Sequence, residues 1–228
     1  MAQPQFAGAT KLNDSVLAPL ERRLAPALIR RVPAWLETYH LTMLTLVWSL
    51  LIVACCVLAR QDLRWLWGVS IMIALQWLTD HLDGKVGKHR GTGLVRWGYY
   101  MDHLLDYVFL CALLVGYGVL LPESSAFEML LLLAVFGGFM VHSFLEFAAT
   151  DRFRISVMKV GPTEFRLALI AINTLIMQVG TDAMARAIPY VAGGGLVALG
   201  VMVYAAHRKI WRLDMAAREA LADRPHSR

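Results

Sequence analysis

Six long apolar blocks, separated by short polar segments, decide what this chain can fold into. They run roughly over residues 41–59, 66–82, 98–121, 127–148, 165–180 and 188–206. Lipid offers the backbone no hydrogen-bond partners, so a single segment crossing the hydrocarbon must be a helix of about 20 apolar residues. The second and fifth blocks are short by that measure, and the second ends in Asp80 and Asp83. Hydrophobic residues make up 58% of the chain, against about half in a soluble domain. The expected fold is an all-α integral membrane protein of six transmembrane helices. Six buried helices of a soluble bundle are the competing reading.

Charge placement supports the count. Basic residues crowd into the N-terminal arm (Lys11, Arg22, Arg23, Arg30, Arg31), the 83–97 segment (Lys85, Lys88, Arg90, Arg96), the 151–166 segment (Arg152, Arg154, Lys159, Arg166) and the tail from Arg208 onward. The three intervening connections hold only Arg60, Arg64 and Arg186. With six spans the four basic segments fall on one side, which the positive-inside rule makes cytoplasmic, together with both termini. The net charge of +5 is thus accounted for by topology and gives no reason to expect nucleic acid. Cys55, Cys56 and Cys111 lie inside apolar blocks without ligand-like spacing and are expected to fill space. Residues 1–40 hold no apolar run suited to a cleavable signal.

Three regions are expected. Residues 1–36 form an N-terminal arm in which 16–36, leucines mixed with paired arginines and broken by Pro19, Pro26 and Pro33, read as interfacial amphipathic helices or a simple basic anchor. Residues 37–207 form the membrane domain, and 208–228 a cytoplasmic tail. Turns are expected at Pro122–Glu123 and from Gly180 through Pro189.

The chemistry is concentrated between Asp80 and Asp106, in DHLDGKVGKHRGTGLVRWGYYMDHLLD. Asp80 and Asp83 are three apart and Asp102 and Asp106 four apart, spacings that put each pair on one helix face. Four carboxylates at the edge of lipid are costly unless something cancels their charge. Divalent cations do so, since Mg²⁺ takes oxygen ligands from carboxylates and substrate phosphates. Two such ions about 4 Å apart stabilise the entering and leaving oxygens of a phosphoryl transfer. Gly84, Gly87, Gly91, Gly93 and Gly98 between the pairs argue for close backbone approach to a ligand rather than continuous helix. Lys85, Lys88 and Arg90 are placed to neutralise phosphate, or belong to an ordinary basic loop.

This stretch resembles the signature of the CDP-alcohol phosphotransferase family, DxxDGxxAR followed by eight residues and GxxxDxxxD. Asp80, Asp83, Gly84, Gly98, Asp102 and Asp106 stand at its fixed positions. Gly87 replaces the usual alanine, Lys88 the usual arginine, and the spacer His89–Trp97 has nine residues instead of eight. Gly161, Pro162, Thr163 and Glu164, the pair His142 and Glu146, and the sequences Asp83-Gly84-Lys85 and Asp102-His103 look like the choline/ethanolamine phosphotransferase branch.

The resemblance implies a polar cavity open to the cytoplasm, a homodimer, and one kind of chemistry: transfer of a substituted phosphate from a CDP-linked donor to an alcohol, releasing CMP, in phospholipid synthesis. It implies Mg²⁺ or Mn²⁺, two ions, on Asp80, Asp83, Asp102 and Asp106. Asp106 is the candidate base with His103 assisting, and Asp80, Gly84, Gly87 and Lys88 are placed near the cytidine end, with Thr42 and Thr45 in reserve. His142, Glu146, Glu164, Arg152, Arg154 and Arg166 are candidate acceptor or headgroup contacts, though His142 and Glu146 can equally form a structural pair and the arginines can simply set topology. The expected location is a bacterial inner membrane, among its lipids. Whether CDP-choline or CDP-ethanolamine reacts with diacylglycerol, or CDP-diacylglycerol with a small alcohol, stays open. Outside the family, a cation transporter or an inactive homologue are the alternatives.

Overall fold

The computed structural model describes residues 18–150 and 162–222. Seven helices follow in order: α1 (Ala18–Ile29), α2 (Thr38–Ala59), α3 (Leu66–Arg90), α4 (Val95–Leu120), α5 (Ala126–Thr150), α6 (Pro162–Val179) and α7 (Thr181–Ala222). The six apolar blocks fall on α2 to α7. Four stretches, Thr38–Ala59, Val95–Leu120, Glu123–Thr150 and Thr181–Ala220, are long and apolar enough to cross a membrane. Large apolar side chains point outward from all four, among them Leu50 (73% exposed), Tyr100 (64%), Phe127 (72%) and Tyr190 (83%). Such surface suits acyl chains and would be costly in water.

One boundary differs from expectation. Gly180 alone reverses the chain between α6 and α7, with φ of +83°, a conformation open chiefly to glycine. Pro189 therefore lies inside α7 rather than in a turn, and α7 runs unbroken past residue 208 to Ala222.

The core joins Ile52 and Cys56 of α2, Val69 and Ile73 of α3, Phe109 and Leu113 of α4, Leu132 of α5, Leu169 and Ile176 of α6, and Ala192 of α7. A Cβ added at Gly116 would meet the Cys56 sulfur at 2.9 Å, so α2 and α4 approach closely where that cysteine fills the gap. All three cysteines are free thiols.

A polar seam crosses this apolar core. On α3 and α6, Ser70 accepts from Asn173 Nδ2 (3.0 Å), Gln76 accepts from Arg166 Nε (2.7 Å), and Trp77 Nε1 donates to Thr163 (2.9 Å). Tyr117 of α4 joins by donating to Asn173 Oδ1 at 2.7 Å. Buried polar groups need such partners, because each left unpaired costs about 1–3 kcal/mol.

The N-terminal segment packs on the bundle. Leu28, Ile29, Val32 and Leu36 lie against Leu41, Leu82 and Val86 at one end of α2 and α3. Arg90 fixes the 32–36 strip: its guanidinium donates to the carbonyls of Val32 (2.9 Å), Pro33 (3.0 Å), Ala34 (3.4 Å) and Leu36 (2.9 Å). Arg90, one of the basic residues offered either to phosphate or to an ordinary basic loop, is engaged with these carbonyls. Arg90→Met keeps the stem but strands the carbonyls, and is expected to cost about 1–2 kcal/mol, read as a lower thermal midpoint in lipid nanodiscs.

Candidate active site

The site grows from the ends of α3 and α4. α3 does not stop at its glycines but runs through Gly84 and Gly87 to Arg90, and Gly98 likewise lies within α4. The expected break is confined to 91–94, where Gly91 takes φ of +72° and the Thr92 amide closes on the Gly87 carbonyl at 3.0 Å. The ninth spacer residue falls where the chain leaves one helix and enters the next, so neither helix is put out of register. Gly87 is where backbones meet: a Cβ there would stand 2.5 Å from Thr38 Oγ1 and 2.9 Å from Gly93 Cα. At Gly84 and Gly98 a Cβ would meet nothing within 4 Å.

Asp83 is buried, 5% exposed, and firmly held. Thr42 Oγ1 donates to one of its carboxylate oxygens at 2.7 Å, the Gly84 amide donates to the other, and Thr38 Oγ1 donates to its backbone carbonyl at 3.1 Å. Thr42 thus serves the acid cluster rather than an open face, and Thr45 is buried one turn further along α2. Across the gap, the Asp102 side chain pairs with Asp83 and lies within electrostatic reach of Asp80 and Asp106. Both acidic pairs therefore converge, as their spacings require.

Arg166 completes the arrangement. It is 6% exposed and sits inside the bundle, not at a headgroup level. Its Nη2 reaches Asp80 at 3.0 Å and Asp106 at 3.5 Å, Nε donates to Gln76, and the guanidinium lies 5.8 Å from the Phe109 ring centre. Gln76 was missed in the sequence. Its signal is spacing: Gln76, Asp80 and Asp83 recur at four and three residues on one face of α3.

The remaining candidates divide. Lys88 is exposed on α3, two turns on from Asp80 and one from Gly84, whereas Lys85 lies against the His81 ring. His103 contacts α4 and α5: Nδ1 meets the Tyr99 carbonyl at 2.6 Å and the ring packs edge-on to Phe144 of α5. There it lines an apolar groove of about 730 Å³ between α4 and α5, with Tyr100, Tyr107 and Val141. Glu146 bonds Lys209 of α7 at 2.7 Å and faces His142 at 3.9 Å, so this pair ties α5 to α7. Lys209→Met is expected to lower stability by about 1 kcal/mol without changing activity, read by thermal unfolding beside turnover. Glu164 sits half-buried in the first turn of α6. Arg152, Arg154 and Gly161 lie outside the described residues.

Among the described residues no three acidic, histidine or cysteine side chains stand in a ready-made coordination shell. Four contacts engage these acids instead: Arg166 holds Asp80 and Asp106, while Asp83 is turned to Thr42 and Gly84. The donor set nonetheless fits a hard divalent cation, being carboxylate oxygen throughout, with open space beside Gly84 and Gly98.

No curated protein matches this sequence. The family model for CDP-alcohol phosphatidyltransferase matches residues 38–206, which take in α2 to α6 and more than half of α7. The chain belongs to the CDP-alcohol phosphatidyltransferase family, enzymes of lipid biosynthesis that move a substituted phosphate from a CDP-linked donor to an alcohol and release CMP.

Proposed function

We propose that Asp80, Asp83, Asp102 and Asp106 would hold two divalent cations, Mg²⁺ or Mn²⁺, and that these acids form the centre of the transfer site. The observation that carries the reading is the convergence of two acids from α3 with two from α4 at one end of the bundle. Bound there, the cations neutralise phosphate charge and polarise the phosphoryl group. The chain's own residues do the positioning. Thr42 and the Gly84 amide aim Asp83, and the open space at Gly84 and Gly98 lets a diphosphate approach the helices closely. Lys88 offers positive charge to the anionic donor. Asp106 accepts the proton of the acceptor hydroxyl. Little covalent chemistry is asked of the protein beyond orientation and charge stabilisation.

On this reading α2 to α7 are six spans, the acid cluster opens to the cytoplasm, and the protein works as a homodimer in a bacterial inner membrane. Thr163 and Glu164 favour a CDP-linked small alcohol reacting with diacylglycerol, and the compact six-helix chain favours CDP-diacylglycerol with a small alcohol.

The test is CMP release by purified protein in lipid with Mg²⁺ or Mn²⁺. CDP-choline, CDP-ethanolamine and CDP-diacylglycerol are supplied in turn with matched acceptors. We expect release with one donor class, stopped by chelation and restored by added cation. Release that survives chelation would sink the two-cation reading.

A further inference from the structure

We propose that Arg166 is a positioning residue that sets how tightly the acid cluster takes a divalent cation. The inference rests on the two-cation reading above and concerns a residue outside the four aspartates.

Its two ends are treated differently. The Nε end is anchored: Gln76, 1% exposed, accepts from it at 2.7 Å, and the Phe109 ring lies beside the guanidinium at 5.8 Å. The Nη2 end is shared between Asp80 at 3.0 Å and Asp106 at 3.5 Å, one acid from each helix. Asp83 and Asp102 pair with each other instead, and Asp83 has its own donors in Thr42 and Gly84. The cluster thus splits into an outer pair bridged by a fixed cation and an inner pair held by neutral donors.

A guanidinium cannot lose its proton in a protein, so this positive charge is permanent. It has two consequences. Without a divalent ion it holds together two acids that would otherwise repel. When an ion arrives it competes for the same oxygens and repels the newcomer. Arg166 therefore weakens cation binding while stabilising the cation-free fold. With four ionised aspartates and two divalent ions, it also leaves the loaded site at a net charge of about +1 rather than neutral, a sign suited to an anionic diphosphate.

The experiment uses full-length protein in nanodiscs with Mn²⁺ alone as the probe. Free Mn²⁺ is read by electron paramagnetic resonance, and thermal midpoints are taken with and without the ion. Arg166→Gln should lower the ion-free midpoint, tighten Mn²⁺ binding on the order of tenfold, and raise KM for the CDP donor more than it lowers kcat. Arg166→Lys, which keeps the charge and loses the Nε anchor, should show a Mn²⁺ affinity between wild type and Arg166→Gln and a more nearly normal midpoint. Gln76→Leu, leaving the arginine unanchored, should shift Mn²⁺ affinity in the same direction as Arg166→Gln by less. Unchanged Mn²⁺ affinity in Arg166→Gln and Gln76→Leu, with wild type binding normally, would overturn this role and leave the cation site standing. Absence of Mn²⁺ binding to wild type would overturn the cation site itself and this role with it.

Discussion

Asp102→Asn is expected to lower CMP release about a thousandfold while leaving the fold intact. The side chain keeps its size and can still bond Asp83, so the α3–α4 contact survives. What disappears is a carboxylate able to ligate the cations that the proposed reaction needs, in a cluster where all four aspartates interact. The measurement is turnover beside thermal unfolding, with Mn²⁺ binding as a third readout. Loss of activity with a retained midpoint and weakened Mn²⁺ binding is the expected pattern. Activity within tenfold of wild type would remove Asp102 from the proposed machinery. Combining it with Asp83→Asn should cost far less than the product of the two single losses, since the residues act as one unit.

Gly87→Ala carries the largest expected stability effect. Alanine favours a helix over glycine by about 0.5–1 kcal/mol, so an open helical site would gain from the change. Here the added methyl meets Thr38 Oγ1 at 2.5 Å and Gly93 Cα at 2.9 Å. The second contact is backbone and cannot rotate away. Overpacking of this kind costs about 1–3 kcal/mol, and with two contacts the net loss is expected near 2 kcal/mol, seen as a lower thermal midpoint. Relief requires the 91–94 loop to move or Thr38 to let go of the Asp83 carbonyl. A midpoint equal to or above wild type would show that the loop yields freely. The glycine that departs from the family's alanine is thus accounted for by how closely α3 approaches Gly93.

The helices and the acidic pairs were legible because they repeat locally. Apolar runs mark α2 to α7, and three- and four-residue spacings place Asp80, Asp83, Asp102 and Asp106 on helix faces. Glycine misled in one respect: composition suggested a loop, yet Gly84, Gly87 and Gly98 stay helical because packing outweighs a propensity cost of about 1 kcal/mol each. Arg166 and Arg90 were read by charge alone, and charge does not say which way a side chain turns. Their partners are distant in sequence, Arg166 meeting Gln76 and Asp80 across 90 and 86 residues, and Arg90 meeting carbonyls that any residue would offer. Arg166 and Asn173 are seven apart on α6, beside the buried Leu169 and Ile176. Polar residues on the same stripe as buried apolar ones face the interior.

The polar seam between α3 and α6 bears on how the protein is made. α2, α4, α5 and α7 are apolar enough to enter a bilayer on their own account, whereas α3 and α6 are not among the stretches that qualify. Each supplies partners to the other in lipid: Asn173 donates to Ser70, and Arg166 donates to Gln76 Oε1 and to Asp80. During synthesis α3 leaves the ribosome some 70 residues before α6 begins, so its polar face must wait at the translocon or at the membrane surface until that partner arrives. All four acids are thus synthesised well before the helix whose arginine holds Asp80 and Asp106.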